Sequence, residues 1–202
     1  MSTLVLATRN RYKLEEMRAI LAEAGLRIRL VGVDDVGGVP EVPETGLTFA
    51  ENALLKARAV AAATGLPAAA DDSGLCVDVL GGMPGVFSAR WAGRHGDDRA
   101  NLELLLAQLV DVPDEHRGAH FGCAATLVLP DGRERVACGR LDGTLLRRPR
   151  GSGGFGYDPV LRPEGETRTA AELAPAEKNA ISHRGRAFRA LAPYVAELVV
   201  AT

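Results

Sequence analysis

The sequence predicts an α/β protein: an elongated mixed β-sheet flanked by helices, with two lobes around a cleft. Three observations carry this. Apolar strand segments alternate with helical periodicities through the first third of the chain. That alternation then gives way to two apolar runs meeting at Pro130, Asp131 and Gly132, the pattern of a hairpin. Finally, 202 residues with 47% hydrophobic and 25% charged content suffice for one sizeable core. We therefore read residues 1–202 as a single two-lobed domain.

The elements follow in order. "LVLAT" (4–8) is a short apolar strand, and Asn10 is placed to cap a helix in which Leu14, Met17, Ile20 and Leu21 recur at helical spacing until Gly25. "IRLVGV" suggests a second strand. "TFAE" (48–51) has the capping-box pattern and opens an Ala-rich helix through about Ala63, which makes Glu51 a cap rather than a catalyst. A weak strand, "PAAA", delivers Asp71 and Asp72, after which "VLGGMPGVFSARWAG" holds too much Gly and Pro for regular structure. A helix with a leucine stripe begins at Asp98, followed by the hairpin "HFGCAATLVLPDGRERVACGRL" and a Gly-rich loop at 151–156. A Thr169-x-x-Glu172 capping box, the polar stretch "EKNAISHRGR" and a closing helix through about Leu198 complete the chain. No internal repeat interrupts it.

Composition narrows the function classes. A net charge of −2 argues against coating nucleic acid, which needs a strongly basic face. No apolar run approaches the roughly 20 residues of a membrane span. The opening "MSTLVLATRNR" lacks the features of a secretory signal, so a cytoplasmic address is expected. Cys76, Cys123 and Cys138, odd in number and widely spaced, fit neither a disulfide framework nor a zinc site.

Four stretches could carry chemistry. In "AADDSGL" (69–75) the two acids read either as part of an Asp-Ser-Gly turn or as a functional pair; on an extended segment only one of them can face a given cleft, while the other braces the loop. "ATRNRYK" (7–13) sets a strand end and polar loop at a helix start, where free N–H groups favour an anion, although a lysine there is commonly a solvated surface residue. "GSGGFG" (151–156) satisfies the G-x-G-x-x-G spacing but neither follows a strand nor opens a helix, so the dinucleotide reading fails. What survives is a loop presenting Phe155 and Tyr157 for base stacking beside Asp158, or an ordinary Gly-rich loop with one anchored aromatic. "EKNAISHRGR" gathers Lys178, His183, Arg184 and Arg186, either as ligand donors or as a solvated basic turn.

Five stretches together resemble the inosine/xanthosine triphosphate pyrophosphatases, the Ham1-like enzymes: "LATRNRYK", "ETGLTFAENALLKA", "ADDSGLCVDVLGGMPGVFSARW", "GGFGYDPV" and "EKNAISHRGRA". They span nearly the whole chain. The resemblance implies an elongated α/β fold, a homodimer, a Mg²⁺ requirement and hydrolysis of deaminated purine nucleoside triphosphates to monophosphate and pyrophosphate. It places Thr8, Arg9, Asn10, Arg11, Tyr12 and Lys13 on the triphosphate, Asp72 as the catalytic acid beside Mg²⁺, Glu44 as the second metal carboxylate, and Ser73 on the substrate. Phe155, Gly156, Tyr157, Asp158, Lys178, His183 and Arg184 are assigned to the base and sugar end. One departure is Tyr12, where the family usually has glycine.

Three other readings share some of these features: a Maf-like pyrophosphatase of modified pyrimidine nucleotides, a nucleotide-sensing binding module, and a metal-dependent nuclease. The motif set disfavours the first. Acids that would repel a polyphosphate in the absence of metal disfavour the second, and the net charge the third.

Overall fold

The computed structural model describes residues 2–200, with the side chains of Tyr12 and Val200 outside the description. Its strands are β1 (Thr3–Leu6), β2 (Arg29–Gly32), β3 (Ala68–Val77), β4 (Gly118–Val128), β5 (Glu134–Leu145) and β6 (Leu161–Pro163). The helices are α1 (Arg11–Glu23), α2 (Val33–Val36), α3 (Phe49–Thr64), α4 (Asp98–Gln108), α5 (Pro175–Ile181) and α6 (His183–Val195). All six strands join one mixed sheet in the order β2-β1-β3-β4-β5-β6. β1 runs parallel to β2 and to β3, with Val5 opposite Ala68, while β5 and β6 are antiparallel. This is the α/β class, a mixed sheet with flanking helices, that the sequence predicts.

Several elements form for the reasons read from the sequence. α1 begins one residue after Asn10, whose carbonyl accepts from Leu14 N–H at 3.3 Å, and Gly25 follows the helix with φ 70°. At α3 the capping box is complete: Thr48 Oγ1 accepts from Glu51 N–H, and Glu51 accepts from Thr48 N–H. Glu51 is a cap. The stretch after β3 folds as two short 3₁₀ turns, Asp78–Leu80 and Gly85–Arg90, in keeping with its Gly and Pro content.

Others differ. β3 does not end at the acids but runs on through Ser73 and Gly74 to Val77, so the Asp-Ser-Gly triplet is strand, not turn. The bare Gly74 explains this: a Cβ there would collide with the carbonyl oxygen of Gly85 and with Ser88 Oγ, which instead approach the strand backbone. At Thr169 the predicted box closes only a turn, because Glu172 accepts from Thr169 N–H but no helix follows. The helix starts later, at Pro175, in the position where a missing N–H costs nothing. α2 and β6 are too short to leave a periodic signal.

Two compact units divide the chain. One comprises the residues up to Asp72, Cys123–Gly139 and the chain from Arg184 on; the other comprises Ser73–Gly122 and Arg140–His183. The first has an apolar cluster on each face of its strands: Leu4, Leu6 and Ala69 with Met17, Phe188 and Leu191, and Val5, Ala68 and Ala70 with Ala57, Val60 and Ala61. The second is built on Leu75, Leu105, Phe121, Leu145, Tyr157 and Leu161.

Arg117 anchors the second unit. Only 2% exposed, it donates from Nε to Leu145 O (2.9 Å), from Nη1 to Leu109 O (2.6 Å) and from Nη2 to Leu146 O (3.1 Å), satisfying carbonyls just past α4 and at the end of β5. Replacing it with a methionine leaves those carbonyls without their donor. Arg117→Met is expected to cost about 2–4 kcal/mol, which for a chain of this size lowers the thermal midpoint by roughly 4–16 °C. Calorimetry of the variant checks this, and an unchanged midpoint contradicts it.

Candidate active site

β3 sorts the two acids. Along the strand Ala69 packs into the cluster that contains α1 and α6, while Ala68 and Ala70 pack into the cluster that contains α3. Side chains on a strand alternate, so Asp71 falls on the Ala69 face and Asp72 on the Ala70 face. Their partners follow suit. Asp71 accepts from Lys13 Nζ of α1 through both oxygens, at 3.1 and 2.9 Å, and from Arg184 Nε of α6 at 3.0 Å. Asp72 accepts from Asn52 Nδ2 at 3.2 Å and Lys56 Nζ at 3.3 Å, both of α3.

The two settings have opposite electrostatic effects. Asp71 is 3% exposed, and burial alone would push its carboxyl up; Lys13 and Arg184, with Lys56 behind them, outweigh this and hold it well below the usual carboxylate range. It is a fixed anion. Asp72, 9% exposed, is shifted upward: burial dominates, the neighbouring Glu44 adds to it, and attraction to Lys56 only partly offsets them. Lys56 in turn loses some affinity for its proton through burial, but Asp72, Glu44 and Asp71 more than restore it. Burial pushes the Cys123 thiol up as well, so this cysteine is an inert packing residue.

Glu44 and Asp72 meet on one cation. Lys56 Nζ lies 2.9 Å from Glu44 Oε1 and 3.3 Å from Asp72 Oδ1, so carboxylates 28 positions apart in the chain converge on a single positive centre. Among the described residues no group of three or more His, Cys, Asp or Glu side chains is placed to hold a metal. A pair of carboxylates is enough for a hard divalent cation of the Mg²⁺ kind, which takes one or two protein carboxylates and fills its remaining positions with water and phosphate oxygens. Sequence reasoning missed Lys56 and Asn52. Their signal was present: they lie one helical turn apart, on one face of the helix that Thr48 caps.

"ATRNRYK" is divided. Thr8, Arg9, Asn10 and Arg11 line a cavity of about 270 Å³ with Arg18, Asp34 and Asp35, and Arg9 pairs with Asp34 at 3.3 Å. Thr8 Oγ1 accepts from Asn10 N–H at 3.1 Å. Lys13 lies outside that cavity, on Asp71. The backbone of Tyr12 is in the first turn of α1, so its position has ordinary helical angles, whereas its side chain lies outside the described residues.

In the second unit, Asp158 organises the Gly-rich loop. Buried, it accepts from Phe155 N–H at 2.8 Å and from Lys178 Nζ, and Lys178 Nζ also sits 5.1 Å from the Phe155 ring centroid. Gly154, at φ 72°, passes so close to the Asp158 carboxylate that a Cβ would clash with it. Gly156 N–H donates to Asp98 Oδ2 at 2.8 Å. Two of the loop N–H groups are therefore engaged, Phe155 by Asp158 and Gly156 by Asp98 of α4. Phe155 is half exposed, as a stacking face requires, but Tyr157 is buried in the core with its hydroxyl donating to Ser88 O at 2.9 Å. His183 is also buried, its ring stacked on Phe121 with centroids 4.9 Å apart. Ser73 is partly buried in β3, and Arg184 belongs to the Asp71 pair in the first unit.

Comparison with known proteins shows the family. The model of the Ham1 family matches residues 4–194. A Streptomyces coelicolor protein named dITP/XTP pyrophosphatase is 71% identical over 98% of this chain and 100% of its own length. A solved structure of a HAM1 protein from Coxiella burnetii superposes with TM-score 0.89 at 43% identity, covering 98% of this chain and 100% of that one. The crystal structure of a nucleoside-triphosphatase / dITP/XTP pyrophosphatase from Mycobacterium abscessus gives TM-score 0.79 at 55% identity, over 95% and 99%. With the family model matching residues 4–194 and a relative 71% identical over 98% of this chain, the chain belongs to the Ham1 family.

Proposed function

We infer that this protein is a nucleoside-triphosphate pyrophosphatase that hydrolyses deaminated purine nucleotides, dITP, ITP and XTP, to the monophosphate and pyrophosphate. The convergence of Glu44 and Asp72 at one point, around Lys56, carries the reading, because two carboxylates so placed can share a divalent cation that carries a polyphosphate. Relatives named dITP/XTP pyrophosphatase support it at 71%, 60% and 59% identity.

Glu44 and Asp72 would hold Mg²⁺, which when bound supplies charge neutralisation and polarisation of the phosphate oxygens. The residues do the rest. Asp72 is suited to orient a water for in-line attack at the α-phosphorus and to accept its proton, and Asn52 fixes the carboxylate while it does so. Lys13, with Thr8, Arg9, Asn10 and Arg11, is assigned to the triphosphate, where its ammonium offsets charge on the leaving pyrophosphate. Ser73 is assigned to the substrate as well. Phe155 offers a stacking face for the base. Lys178 retains donors beyond the one given to Asp158, since an ammonium has three. Gly156, Tyr157 and Asp158 shape this loop, and His183 completes the set proposed for the base and sugar end, whereas Arg184, expected there from the resemblance, is buried on Asp71 beside the triphosphate ligand Lys13. A homodimer and a cytoplasmic setting belong to the same reading.

Selectivity needs several such donors. A mismatched donor left unsatisfied costs ~1–3 kcal/mol, or roughly 5- to 150-fold, and one contact alone would not spare abundant ATP.

Three outcomes test this reading. With Mg²⁺ and ITP the products are expected to be IMP and pyrophosphate by chromatography; a nucleoside diphosphate and orthophosphate would place attack at the γ-phosphorus and overturn the mechanism. Asp72→Asn is expected to lower kcat by about 100-fold or more while the circular dichroism stays unchanged, and Glu44→Gln is expected to raise the Mg²⁺ concentration needed for half-maximal rate; a parent-like kcat for Asp72→Asn in saturating Mg²⁺, with a parent-like Mg²⁺ requirement for Glu44→Gln, would reject the site. His183→Ala is expected to depress kcat/KM for ITP more than the residual rate with ATP, and equal losses would remove His183 from the base end.

A further inference from the structure

The charges around Asp71 form a chain that the proposed reaction does not itself require. Lys13 Nζ contacts both Asp71 oxygens, Asp71 Oδ2 accepts from Arg184 Nε at 3.0 Å, and Arg184 Nη1 lies 3.6 Å from Glu16 Oε2. Lys13 and Glu16 stand three apart on α1, so the chain leaves that helix, crosses β3, reaches α6 and returns within a single turn. Asp71 and Arg184 are buried, Glu16 is partly so, and Lys13 is the most exposed of the four.

We infer that Asp71, clamped by Arg184, is a positioning residue that fixes the Lys13 ammonium for a polyphosphate. The inference rests on the reading of Lys13 as a phosphate ligand and adds how that ligand is held. A lysine ammonium sits on four flexible carbons and, left free, must be ordered each time it binds an anion. Asp71 does this ordering in advance. Asp71 holds Lys13 without exhausting it, because an ammonium has three donors and the two bonds to Asp71 use only two of them. Arg184 is itself shared between Asp71 and Glu16, whose Oε2 lies 3.6 Å from Nη1. Arg184 also keeps Asp71 from turning away: its guanidinium holds the carboxylate from the α6 side while Lys13 holds it from α1.

A double-mutant cycle separates this role from that of a buried ion pair that merely holds the fold together. The measurement is kcat and KM for ITP with Mg²⁺ in the parent, Lys13→Ala, Asp71→Asn and the double variant, with thermal midpoints taken alongside. Each single change is expected to reduce kcat/KM about tenfold or more, and the double variant is expected to fall within about twofold of Lys13→Ala, because with Lys13 gone Asp71 has nothing left to position. Losses that multiply in the double variant would overturn the inference, as would an Asp71→Asn protein with a lowered midpoint but parent-like kcat/KM. Unchanged kinetics in Lys13→Ala would overturn the phosphate reading of Lys13, and the clamp with it. If Asp71→Asn does not fold, Asp71→Glu, which keeps the charge and displaces it by one methylene, runs the same cycle with the same outcomes.

Discussion

The site depends on the two-residue period of β3. A strand cannot present neighbouring side chains to the same face, and this strand uses that constraint to give two adjacent carboxylates different neighbours. Ala69 and Ala70 lead into the pair with small side chains that pack against opposite helical layers, which leaves α1 and α6 close enough to reach Asp71 and α3 close enough to reach Asp72. Larger residues at those two positions would push the helices, and the cations they carry, away from the acids.

From this separation comes a division of electrostatic labour. Asp71 is ionised under all ordinary conditions, and the sign of its contribution to stability follows. Its folded-state pKa lies below the unfolded value of about 3.9, so the stabilisation is complete above that pH and is lost as acid carries the pH down toward the folded value. Asp72 works the other way: with its pKa raised by burial, it gives up stability as the pH rises from the unfolded value of about 3.9 toward the raised folded value. A group held at that cost beside a lysine and a second carboxylate is the kind expected at a site of chemistry, whereas Asp71 has the character of a brace.

Much of this was legible in the residues. The capping box at Thr48 and Glu51, the Gly25 stop, the Pro130-Asp131-Gly132 turn and the leucine stripe after Asp98 are local signals, and each marks the element it predicts. What stayed hidden depends on contacts between distant segments. The 169–172 box closes a turn without a helix because Ala170 and Ala171 N–H groups bond to Leu161 O and Asp158 O, partners that no local pattern reveals. Tyr157 reads as an aromatic on a flexible loop, yet its hydroxyl finds Ser88 O and its ring enters the core. Lys56 lay unmarked in an Ala-rich helix, because only the fold brings it to Glu44 and Asp72. The motifs could name the acids, but the cations that set their charge states come from three different helices.

The central claim is that the acid pair serves attack of water at the α-phosphorus while the pyrophosphate leaves. Hydrolysis of ITP in water labelled with heavy oxygen, followed by mass spectrometry of both products, tests it most directly. The account predicts the label in the monophosphate and none in the pyrophosphate. Label in the pyrophosphate, with unlabelled monophosphate, would place the attack at the β-phosphorus and contradict the roles given to Asp72 and Lys13.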